Sequence, residues 1–154
     1  MTDFYISVIG FDNEPSKIVV SDSRRDADLN DEDSFLFILD TYNDLQNGFL
    51  FGTNADGMQY DAQIDNEGVG SFNQNARQKG GTLGGTNVNW DASWEVKTSR
   101  GDFGWSAEFA IPLKSLRFLP GENKTWGLNF QRNISKNSEI SFWASLPLGF
   151  DIKR

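Results

Sequence analysis

Neither cysteine nor histidine occurs among the 154 residues. Thiolate nucleophiles, Ser-His-Asp triads and zinc sites built on His or Cys are therefore impossible within this chain. Without cysteine the redox compartment stays open, because a domain with a good core can be secreted without disulfides. Positive charge is also scarce: 14 Lys and Arg stand against 22 Asp and Glu, a formal net charge of −8. Non-specific nucleic-acid binding and docking on an anionic membrane both need clustered cations, so the charge argues against both. No apolar run is long enough to span a bilayer as a helix, and no signal peptide is recognisable. No long segment repeats apolar residues at the helical period. What is present is the composition of a β protein, with 13 Phe, 5 Trp and 15 Gly among many Asn, Asp and Ser.

The clearest pattern runs from Asn89 to Phe118. Trp90, Ala92, Trp94, Val96 and Thr98 share one parity, and Asp91, Ser93, Glu95 and Lys97 the other. After turn residues Ser99 to Gly104 the alternation resumes, with Trp105, Ala107, Phe109 and Ile111 against Ser106, Glu108 and Ala110. A period of two puts alternate side chains on opposite faces of a strand, so this stretch predicts an antiparallel hairpin with one dry face. Pro112 lacks the N–H a ladder needs and ends it. LKSLRF then reads as a short helical turn.

The remainder reads as further strands. Phe4 to Phe11 and Ser34 to Asp40 are apolar on both parities, which predicts strands covered on two faces. Lys17 to Val20 reads as a short strand, and Ser21 to Asp33 as a long polar loop. Thr41 to Gly48 reads as a hairpin loop ending in Asn47-Gly48, a pair suited to positive φ. Met58 to Ile64 reads as a half-wet strand. Asp65 to Asn89, with KGGTLGG at its centre, reads as a mobile loop. Trp126, Leu128 and Phe130 alternate with Gly127, Asn129 and Gln131, and Ile140, Phe142 and Ala144 with Ser141, Trp143 and Ser145. About nine strands with no intervening helices predict an all-β, antiparallel β-sandwich of jelly-roll type in a single domain, 1–154.

The ordered pieces FDNEPSKIV, RRDADLNDEDSF, LDTYNDLQNGFLF, NADGMQYD, NWDASWEVKT, GWSAEFAIPLKSLRF and TWGLNFQRNI cover most of the chain. In that order the chain resembles the family 9 carbohydrate-binding module, and more narrowly the family-9-like domain N-terminal to certain bacterial outer-membrane barrel proteins. The resemblance implies a sandwich fold, glycan binding, structural calcium, and an extracellular or periplasmic setting beside a barrel or enzyme domain. The Asp-Gly-rich opening of such domains is not matched here, so the leading strand segment is expected to be missing.

Three groups of residues are candidates for function. Trp143 lies on the polar parity of its strand; paired with the preceding strand, it would sit beside Asn129, Gln131 and Arg132. An indole face with amides and a guanidinium is the composition of a glycan platform. Trp90 and Tyr42, at strand and loop margins, are further candidate stackers, while Tyr60, Trp94, Trp105, Phe109, Trp126 and Phe130 read as core. Asp26, Asp28, Asn30 and Asp33 alternate through the acidic loop as oxygen donors for a hard cation such as Ca²⁺; otherwise the loop is a solvated acidic stretch offset by Arg24 and Arg25. Finally, Glu95 and Glu108 would lie about 5 Å apart if directly opposite in the hairpin, the separation a retaining glycosidase uses. The alternative is ordinary exposed strand residues beside lysine. The sequence therefore predicts non-catalytic carbohydrate binding, with a docking module and a glycosidase as rivals.

Overall fold

The computed structural model describes residues 2–65, 86–121 and 123–144. It is an antiparallel β-sandwich whose strands, in chain order, are β1 (Asp3–Phe11), β2 (Ser34–Asp40), β3 (Gly48–Asn54), β4 (Tyr60–Ile64), β5 (Thr86–Asn87), β6 (Glu95–Gly101), β7 (Gly104–Pro112), β8 (Gly127–Ile134) and β9 (Glu139–Phe142). One sheet has the order β1-β7-β6, the other β5-β4-β3-β2-β8-β9. The predicted hairpin is β6–β7, with Arg100 opposite Trp105. Its first strand starts at Glu95, so Trp90 to Trp94 lead into it rather than belong to it. Pro112 closes β7 and a 3-10 turn, Leu113–Ser115, follows.

The main core lies between the sheets. Trp94, Trp105, Phe109 and Ile111 meet Phe35, Phe37, Phe49 and Phe51. Phe109 meets Phe37 edge-on at 5.0 Å, and Trp94 meets Phe51 edge-on at 5.3 Å, arrangements that aromatic quadrupoles favour. A second cluster covers the back of the larger sheet, where Leu36, Leu50, Tyr60, Ala62 and Ile64 pack with Met58 and with Leu29 from the polar loop. The loop is thus a cover for the sheet. Gly52 makes this close approach feasible: a Cβ there would stand 2.9 Å from Leu29 Cδ1.

Several local expectations are corrected. β1 is an edge strand with one exposed face rather than a strand covered on both, because nothing among the described residues packs on the outer side of its sheet, where β6 is exposed too. Lys17 to Val20 is no strand; a 3-10 turn, Pro15–Lys17, leads into an extended segment that sends Ile18 and Val20 into the core. β4 is buried on both faces rather than half-wet, since Ala92 and Arg25 close over Asp61. β9 is exposed on both faces, Ile140 and Phe142 included. Positive φ in the 41–48 loop falls at Asn43 and Leu45, not at Gly48. Most of the glycine-rich stretch lies outside the described residues, but Thr86–Asn87 pairs with Gln63 and Ile64 as a strand.

Candidate functional site

The larger sheet extends past the smaller one. Phe4 of β1 lies 6.0 Å from Trp126, next to β8, and a Cβ on Gly10 would stand 3.4 Å from Arg132 Cζ. β1 therefore covers β8, and β9 lies beyond it. Arg132 pairs with Ser141, and the Trp143 N–H donates to Phe130 O at 3.0 Å. Ser141 and Trp143 accordingly share the face of Phe130 and Arg132, which looks toward the smaller sheet. Among the described residues nothing covers that end, and Trp143 is 71 % exposed. Its ring rests 5.5 Å from that of Phe130, which holds the indole in place.

The expected amides are not beside it. Asn129 pairs with Ile38 and Gln131 with Leu36, so both belong to the opposite face of β8. Gln131 is 3 % exposed and donates to Asn133 Oδ1, while Asn129 is bonded to both backbone groups of Ala144. Parity named these residues as wet because it cannot register a loop folding over that face: Asn133 donates to Leu29 O at 3.0 Å there. Arg132 does share the Trp143 side. Its Nη2 donates to Phe11 O at 2.9 Å, at an open cavity of about 400 Å³ that Asp12, Asn13, Lys136 and Asn137 also line. Lys136 bonds the Asp12 carboxylate and holds it below the usual carboxylate range. Asn13 and Asn137 are the polar groups that the sequence reading missed; they come together only because β1 ends above β8. Trp90 is no free platform: its ring lies 4.8 Å from Phe49 and 6.0 Å from Phe51, at the rim of the core.

The acidic loop spends its donors separately. Asp26 Oδ1 accepts from the Asp61 N–H at 3.2 Å, Asp28 Oδ1 from the Asn30 N–H at 3.0 Å, and buried Asp33 Oδ2 from the Val19 N–H at 2.8 Å. Of these bonds, the one from Asn30 to Asp28 links two of the four. As placed, the four do not fit one calcium shell, and the described residues hold no group of three His, Cys, Asp or Glu that could bind a metal. Two other carboxylates, unmarked in the sequence reading, hold the loop down. Buried Glu32 accepts from Ser21 N–H and Oγ–H, from Asp22 N–H and from Asn54 Nδ2. Asp61 accepts from Arg25 at 2.6 Å and from the Ala92 N–H at 2.7 Å; burial nonetheless pushes its carboxyl up.

Glu95 and Glu108 are not directly opposite. Glu95 faces Ala110 and Glu108 faces Lys97, which leaves them diagonal neighbours at a typical ~7–8 Å. Both are exposed. No protein-family model matches this chain, and no curated protein or solved structure matches it significantly.

Proposed function

We propose that this domain binds a poly- or oligosaccharide without cleaving it, from an extracellular or periplasmic position, as its resemblance to family 9 carbohydrate-binding modules implies. The observation that carries the reading is Trp143: a large indole, 71 % exposed, braced by Phe130 on a shelf that no described element covers. Exposed aromatics of this size are uncommon on a surface without a partner, and a pyranose ring stacks its C–H face on an indole. Arg132, on the same face as Trp143, and Asn13 and Asn137, which line the cavity with it, supply hydrogen bonds for hydroxyls. Glu95 and Glu108 take no part. Calorimetric titration across a glycan panel tests this: Trp143→Ala should abolish binding while the circular dichroism spectrum is retained. Binding that survives this substitution overturns the reading.

A second reading has its own observation. Tyr5, Ile9 and Phe11 form an exposed stripe on the outer face of β1. An apolar stripe of this kind fits a module that docks on another domain, such as a neighbouring membrane barrel.

A further inference from the structure

β1 ends its sheet, and its far edge meets no strand among the described residues. Two bonds fix the phase of that edge. Leu113 N–H donates to Thr2 O, and Asp12 N–H donates to Phe103 O. The even-numbered residues of β1 therefore exchange bonds with β7, since in an antiparallel ladder each residue points both backbone groups the same way and the direction alternates. The odd residues Tyr5, Ser7 and Ile9 turn N–H and C=O toward the open edge. The Phe11 carbonyl, in the same phase, is the one that Arg132 has reached. Such edges are ordinarily guarded by charge, proline or a bulge. FYISVIGF contains no charge and no proline, and its register with β7 is unbroken from Asp3–Pro112 to Phe11–Gly104.

The second sheet decides what fits. A strand added beside β1, about 4.8 Å further out, would lie over β9 at the usual sheet separation of about 10 Å. β9 is thus a shelf one strand wide, with Glu139, Ser141 and Trp143 facing up. A second copy of this chain offering its own β1 would bring its β8 into the space that β9 fills. A single extended strand meets no such obstacle. Charge narrows the choice further: Asp3 stands at one end of the edge, while Arg132 already holds the Phe11 carbonyl at the other, in a chain of net charge −8.

We propose that the β1 edge accepts an extended segment of a partner protein as an added strand, apolar at alternate positions and basic at the end that meets Asp3. This rests on the docking reading and specifies its mode, in which main-chain bonds supply affinity and alternate side chains supply choice. The added strand covers Trp143, so segment and saccharide compete.

The probe is a synthetic peptide of alternating valine and threonine flanked by lysines, titrated calorimetrically into the chain. One-to-one binding is expected. Ser7→Pro deletes an outward N–H in mid-edge, leaves every β1–β7 bond, and should weaken binding about tenfold or more. A peptide N-methylated at alternate residues tests the same bonds without altering the protein and should not bind; a glutamate-flanked peptide should bind about tenfold more weakly. Absence of binding by the lysine-flanked peptide overturns the proposal, as does a dimer of the chain, seen in sedimentation, that Ser7→Pro dissolves. If Ser7→Pro and N-methylation leave the affinity unchanged while Ile9→Ser lowers it, docking on this face stands and strand addition falls.

Discussion

Glu32 shows how a buried carboxylate can be fully employed by the chain's own donors. Its two oxygens accept from two backbone N–H groups, a hydroxyl and an amide. Glu32→Ala strands those donors and should cost about 3 kcal/mol in urea unfolding. Asp26, Asp28 and Asp33 each give one oxygen to a backbone N–H instead of converging on one point, so excess chelator should leave the melting temperature unchanged; a rise in Tm with millimolar calcium would reveal a site at the oxygens these bonds leave over, such as buried Asp33 Oδ1. Two carboxyls respond to pH in opposite senses. Lys136 lowers the Asp12 pKa, so that pair's stabilisation is complete above the ordinary carboxylate pKa and is lost as pH falls through the lowered value. Burial raises the Asp61 pKa, so its contribution is present below the ordinary pKa and is lost as pH rises through the raised value. Lys136→Met should move the Asp12 carboxyl resonance, followed by NMR, to titrate at higher pH. Trp143→Ala, at an exposed position, should shift Tm by no more than about 2 °C.

At the level of elements, side-chain parity was legible where one face is dry and the other wet. β7 obeys it, with Trp105, Ala107, Phe109 and Ile111 all inward. β2 was legible for the complementary reason, since FLFIL is buried on both sides. Parity misled in β4 and β8, whose polar residues Asp61, Gln131 and Asn133 are buried under segments that are distant in sequence and leave no periodic mark. It misled in β1 and β9 for the opposite reason: apolar residues there have no cover among the described residues. The β6–β7 turn offers a sharp test. Gly104 has φ +124°, and a Cβ there would stand 2.1 Å from Gly10 O. Gly104→Ala should therefore destabilise the fold by about 2 kcal/mol or more, read as a lower urea midpoint.

The molecule as a whole has two cores, one between its sheets and one beneath the 21–33 loop. Leu29, fully buried, joins that loop to the sheet. Leu29→Ala should cost about 3 kcal/mol and raise hydrogen exchange in the loop before it does so in β2. The sandwich class could be read from the sequence, whereas the unequal widths of the two sheets could not, because strand order is set by pairings between distant segments. One of those pairings governs how the chain can be made. Among the described residues β1 pairs with no strand but β7, from Asp3–Pro112 to Phe11–Gly104, so on the ribosome this strand stays unpaired until Pro112 has emerged. Closing so long a loop is entropically slow. During synthesis, an apolar ribbon with no protecting charge between Phe4 and Phe11 is left for chaperones to shield.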